Sequence, residues 1–248
     1  AVFFCLLAKN FGLHINGDSF LAIAESIPYP VLRKERYKTQ HLEALFFGQG
    51  NLLDEELFDP YYLQLREQYN YLKHKYKLTG ISIPLQFFRL RPANFPTLRL
   101  AQLAAVFTQR NSVFSKIIAT NSLEELQQIF EVTISAYWYT HYTFQKSSPA
   151  TKRNITEKFI DLLIINTIIP IKFVYQRQMG KENLEDLLTL IQSIKPDSNA
   201  QIDQFIKIGV KVDNAFISQS LLQLKNKYRV QKKCLTCRAG NFLIRSVR

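Results

Sequence analysis

The chain has 248 residues, 47% apolar and 13% aromatic, which is ample for a folded core and excludes intrinsic disorder. Its 32 basic and 20 acidic residues leave a net charge of +12, and that excess is local. Residues 1–80 hold nine of each sign, whereas residues 225–248 hold eight basic residues and no acid. Such a tail suits phosphate or an acidic partner, and it excludes a uniformly cationic surface.

Scarce glycine and recurrent helical spacing put the chain in the mainly α class. The expected architecture is an irregular multi-helix bundle. It has a central buried helix near 97–109 and short extended segments near 81–90 and 137–144. Cys5, Cys234 and Cys237 are too few for a disulfide framework and fit reduced thiols in the cytoplasm. The apolar opening Val2–Ala8 lacks the basic start and cleavage pattern of a signal peptide. Because the chain starts inside a helical pattern without Met, it reads as the later part of a longer protein.

In chain order, residues 2–11 read as an apolar helix stopped by Gly12. Asp18 is placed to cap a helix over Ser19–Ser26, which ends before Pro28 and Pro30. Gln40–Phe47 forms the next helix, closed by Gly48-Gln49-Gly50. Glu43 lies among Leu42, Leu45, Phe46 and Phe47, so it is a candidate partner for an arginine. Pro60 opens a helix in which Tyr62, Leu65, Tyr69, Leu72 and Tyr76 recur at spacings of three and four, a core stripe.

An extended segment, 81–90, leads into Arg89-Leu-Arg-Pro-Ala-Asn-Phe-Pro96. Its neighbours are apolar, so each arginine here is expected to hold a specific anionic or carbonyl partner. Asn94 or Thr97 can cap the helix from Leu98 to Thr108, where Arg99 and Gln102 share one face. Ser122 with Glu125 makes a capping box for Leu123–Phe130. Tyr137, Trp138, His141, Tyr142 and Phe144 form the densest aromatic cluster, a candidate pocket. Residues 145–153 are polar and basic and mark the expected division between a helical core, 1–148, and a second half, 149–248.

The second half opens on the apolar run Phe159–Val174. Asp161, Asn166, Pro170 and Lys172 interrupt it, so it is expected to be a buried helix, not a membrane span. Asn166 should need a buried partner, and Pro170 should disturb the helix. Amphipathic helices follow near 182–194, 199–208 and 214–228. The pair around Gly209 can be drawn as a helix-turn-helix exposing Ser218, Gln219, Gln223 and Asn226.

Phosphate-loop, dinucleotide, zincin and nucleophile-elbow signatures are all missing from the sequence. Cys234-Leu-Thr-Cys237 offers two thiolates to a zinc ion, two short of a closed structural site. His41 to Gln49, Arg89 to Pro96, Tyr137-Trp138 with His141-Tyr142, Asn166 to Pro170, Ser218-Gln219 to Lys225-Asn226, and the stretch from Lys233-Cys234 to Gly240 occur in that order. Together they resemble an uncharacterised, mainly Bacteroidetes family, domain of unknown function 2851, in its C-terminal part. The resemblance implies longer members with an N-terminal portion upstream as a partner, and no assigned activity. It also implies a third cysteine before the CxxC; Tyr228-Arg229-Val230 stands there instead, which counts against a metal site.

Three functional readings stay open at this point. In the first, Arg89, Arg91, Asn94 and Arg99 line a recess for phosphate or carboxylate. Lys225, Lys227, Arg229, Lys232, Lys233 and Arg238 then add nucleic-acid contacts. In the second, the chain is the helical part of an enzyme acting on a phosphorylated or anionic substrate through Glu43, His141 and the arginines, with catalysis partly in the N-terminal portion upstream. The third is a protein-interaction scaffold. Against the first two stands the alternative that the arginines pair with Glu43, Glu25 or core carbonyls.

Overall fold

Helical spacing in the sequence becomes helix along most of the chain. The computed structural model describes every residue except Glu182, Cys234, Val247 and Arg248, with backbone alone at Ala239 and Leu243. The first elements are α1 (Val2–Phe11), α2 (Leu13–Ser26), α3 (Tyr29–Glu35), α4 (Thr39–Gln49) and α5 (Pro60–Tyr76). A 3-10 turn (Pro92–Asn94) then precedes α6 (Pro96–Gln109), α7 (Val113–Ala119) and α8 (Leu123–Phe130). A second 3-10 turn (Ala136–Tyr139) leads into a hairpin of β1 (His141–Thr143) and β2 (Lys146–Ser147). Next come α9 (Glu157–Leu163), a π turn (Ile164–Ile168) and α10 (Ile169–Gln178). The remainder is α11 (Leu184–Ser193), α12 (Ala200–Lys207), α13 (Ala215–Gln223), a second π turn (Leu224–Arg229) and α14 (Arg238–Ser246). Two compact units result, Ala1–Val174 and Tyr175–Arg248.

The first unit is built around α6, which is buried from Pro96 through Phe107. α1, α4 and β1 pack against it. Phe4 meets Phe107 edge-on at 5.1 Å and Phe46 in a stack at 5.9 Å. Each fully buried large apolar side chain of this kind contributes roughly 1.5–3 kcal/mol. The predicted stripe on α5 is core: Tyr62, Leu65, Tyr69 and Leu72 are buried. Asp59 caps α5 by accepting from the Tyr62 amide at 2.9 Å. Glycine is required where α4 crosses α5, because a Cβ on Gly48 would stand 2.2 Å from the Tyr69 ring.

Several sequence expectations are corrected here. α2 starts at Leu13, not Ser19, so Asp18 lies inside the helix and pairs with Lys9 at 3.4 Å. Gly12 is no left-handed stop; its φ is −69°, and Leu13 (φ 55°) turns the chain instead. Neither Asn94 nor Thr97 caps α6. Thr97 donates its hydroxyl to the Tyr142 carbonyl, and Asn94 accepts from Arg99 at 2.7 Å. Tertiary partners have outcompeted the local cap. Ser122 does cap α8, accepting from the Glu125 amide at 3.3 Å. The segment near 137–144 is extended only in its second half, since Ala136–Tyr139 is a 3-10 turn.

Pro170 acts through its missing N–H. The carbonyl four residues back, that of Asn166, is left without a helical donor. The helix widens into the π turn there, and Asn10 Nδ2 covers the site, 3.4 Å from that carbonyl and 2.9 Å from Thr167 Oγ1. The Asn166 side chain is exposed and bonds the Leu162 carbonyl at 2.9 Å, so it needs no buried partner. The helical run Glu157–Gln178 is long and apolar enough to cross a membrane by length and composition. Phe159, Ile160, Leu163, Ile164 and Ile168 within it are core residues.

In the second unit α11 and α13 pack together around Leu187, Leu190, Ile194 and Ala215. Asn199 caps α12 and Asn214 caps α13. The helix-turn-helix drawing fails on its own residues. Ser218 is buried and donates to Asp197 at 3.1 Å, and Gln219 donates to the same carboxylate at 2.6 Å. Gln223 and Asn226 are exposed as expected.

Candidate functional site

α4 carries Glu43 into the core, where it has no exposure at all. Asp59 at the head of α5 sets Tyr61 beside it, and the second 3-10 turn brings up Trp138. Tyr61 donates its hydroxyl to Glu43, as do Ser135 at 2.7 Å and the Trp138 indole at 3.4 Å. No lysine or arginine bonds this carboxyl among the described residues, so it is not the arginine partner that its sequence position suggested. Burial outweighs the three donors and pushes its pKa up to about 7.

Stacked rings close the site. Trp138 lies flat on Phe47 at 5.2 Å, and Tyr137 stands between Tyr61 at 4.4 Å and His141 at 4.0 Å. Tyr137 donates to Asp59 at 2.7 Å. Burial works against the Asp59 charge, but donors from the Tyr62 amide and Tyr137 hold its pKa down. His141 Nδ1 lies 3.1 Å from the Tyr137 carbonyl and 2.9 Å from Thr140 Oγ1. A carboxyl that titrates near neutrality suits proton transfer. Enclosed as it is, Glu43 meets no substrate in this conformation.

The predicted anion residues separate. Arg99 and Asn94 come together, with Gln102 accepting from Arg99 at 2.8 Å. The Arg99 guanidinium sits 3.6 Å over the Phe159 ring, and burial lowers its pKa to about 10. Arg89 and Arg91 are exposed instead. Arg89 holds a left-handed backbone, φ 62°, with its guanidinium 5.1 Å from the Phe88 ring.

Two clusters were missed from sequence. Arg153 is buried, donates to the carbonyls of Trp138 at 2.9 Å and His141 at 2.5 Å, and covers Tyr142 at 3.5 Å. It thereby fixes Trp138, His141 and Tyr142 as one framework. Glu35 accepts from His41 at 2.7 Å, Lys75 at 3.0 Å and Tyr76 at 2.5 Å. Burial opposes that charge, but the three donors prevail and lower its pKa to about 2. Both arginine and glutamate sit in charged stretches that read as ordinary surface, so no local signal marked them.

The basic residues lie in the second unit. Lys227, Arg229, Lys232, Lys233 and Arg238 are exposed; Lys225 is half-buried and donates to Gln204 at 3.0 Å. The expected zinc pair falls partly outside the described residues, because Cys234 is not among them; Cys237 is a free thiol. Among the described residues no group of three His, Cys, Asp or Glu side chains can hold a metal.

A family model described as "Protein of unknown function (DUF2851)" matches residues 1–200. The chain belongs to that family. No curated protein and no solved structure matches it. The DUF2851 match takes in the Glu43 cage, both buried arginines, the Glu35 cluster and α11, and it stops at the first residue of α12. The exposed basic residues of 225–248 lie beyond the matched span.

Proposed function

We propose that this DUF2851 protein is a helical module that binds nucleic acid without sequence preference through the basic residues of 225–248. The supporting observation is the exposure of Lys227, Arg229, Lys232, Lys233 and Arg238 in a stretch without one acid. Phosphate recognition needs no more than this, because neutralising each phosphate releases condensed counterions. The reading rests on the second unit alone. Arg99 and Asn94 occupy each other and Glu43 is closed to solvent, so the exposed basic residues of the second unit give this reading its support. It also keeps the protein in the cytoplasm, where reduced thiols and nucleic acid coexist.

Salt titration tests it. If five cations each neutralise one phosphate of a single strand, log affinity falls with log salt at a slope of about −3.5. That is roughly a hundredfold loss between about 50 and 200 mM salt. Binding of a labelled oligonucleotide should follow that slope, and Lys227→Glu with Arg229→Glu should flatten it by about 1.4. Binding that is weak at low salt and unchanged at moderate salt would refute the proposal.

A further inference from the structure

A groove of about 510 Å3 opens in the second unit between α12 and the second π turn, lined by Gln204, Phe205, Lys207, Ile208 and Arg229. Its chemistry is mixed in a particular way. Phe205 and Ile208 give an apolar floor and lip, while Lys207 and Arg229 give cations and no acid lines it. Lys225 adds a third cation at the wall by bonding Gln204 Oε1 at 3.0 Å, which leaves the Gln204 amide N–H groups as donors. Ile208 is 75% exposed, so its apolar side chain is open to an incoming group. Gly209, at φ 90°, turns the chain away directly after it and leaves the lip open.

Resting on the nucleic-acid reading above, we infer that this groove takes one unpaired base of a single strand, stacked on Phe205 against Ile208, with flanking phosphates on Lys207, Lys225 and Arg229. An aromatic platform beside a cationic wall is how single strands are held without sequence preference. Duplex bases are stacked inside the helix and cannot offer a face to Phe205. The volume is within the range of pockets that enclose small organic groups. The charge pattern fits a phosphate-bearing strand and disfavours a cationic or purely apolar occupant.

Fluorescence anisotropy with the full chain tests this. The probes are a labelled DNA strand of about 12 nucleotides, the RNA of the same sequence, and the DNA duplex. Single strands should bind about tenfold tighter than duplex. Phe205→Ala should remove about tenfold of single-strand affinity while leaving duplex affinity and the salt slope unchanged. Ile208→Ser, a neutral change at an exposed position, should do the same, and it decides the matter if Phe205→Ala fails to fold. Equal affinity for DNA and RNA would assign recognition to base and phosphate; RNA preference would add the 2′-hydroxyl. Salt-dependent binding that is equal for duplex and single strand and indifferent to Ile208→Ser would overturn the groove and leave the nucleic-acid reading standing. No salt-dependent binding of any probe would remove both.

Discussion

Replacing Glu43 by glutamine tests the energetics of the buried cage. The carboxyl's ordinary pKa is 4.5, and burial takes it to about 7 in the fold. Between those values the folded chain keeps a proton that the unfolded chain has lost. Its contribution to stability is therefore full below pH 4.5 and is lost as pH rises through 7. The gap corresponds to about 3 kcal/mol. Glutamine stays neutral, accepts from Tyr61 and Trp138, and can donate to Ser135, so Glu43→Gln should show none of this loss. Trp138 is the only tryptophan and its indole bonds Glu43, so its fluorescence reports unfolding from the cage itself. Urea titrations of both proteins from pH 4 to 8 then give a stability difference that swings toward the variant by about 3 kcal/mol. A difference that stays flat across that range would show that the carboxyl does not titrate there and would refute the argument.

Glu35 should behave with the opposite sign. Its pKa is lowered to about 2, so its stabilisation is present above pH 4.5 and is lost as pH falls towards 2. Acid titration of Glu35→Gln should lack that transition, and the wild-type chain should be most stable near pH 5, where both carboxyls favour the fold. The two buried arginines should differ in kind. Arg99→Met removes a costly buried cation but strands the Gln102 carbonyl, so denaturation should show a loss of only about 1–2 kcal/mol. Arg153→Met strips the Trp138 and His141 carbonyls and the Ser148 hydroxyl, and should cost about 2–4 kcal/mol by the same measurement. The reverse order would show that the Arg99 stack on Phe159, not carbonyl satisfaction, is the larger effect.

What was legible in the sequence was what short-range chemistry decides. The stripe on α5, the burial of α6 and the Ser122 cap each depend on residues within one or two turns. Asn94, Thr97 and Asp18 were misread for the complementary reason. Their side chains are competent caps, but each found a partner or position set by the fold. Glu43 shows the limit most plainly, because Ser135 and Trp138 reach it from 92 and 95 residues away. Apolar neighbours foretold its burial, and nothing local foretold that hydroxyls and an indole would receive it instead of an arginine.

Glu35 of the first unit holds Lys75, but four other interior side chains are met by neutral groups, and this bears on where recognition can occur. Glu43 is met by hydroxyls and an indole, Arg99 by amides and a ring, and Arg153 by carbonyls. Lys172, buried on α10, donates to the carbonyls of Ile117 at 2.9 Å and Thr120 at 2.6 Å where α7 ends. Around these four side chains fixed dipoles take the place of water. Such dipoles are held by the fold, so an incoming anion would have to displace them and leave them unsatisfied, at about 1–3 kcal/mol each. Arg99 is costly to recruit into a binding recess for that reason. Exposed cations in the second unit carry no such penalty, since solvent is all that a phosphate must displace from them.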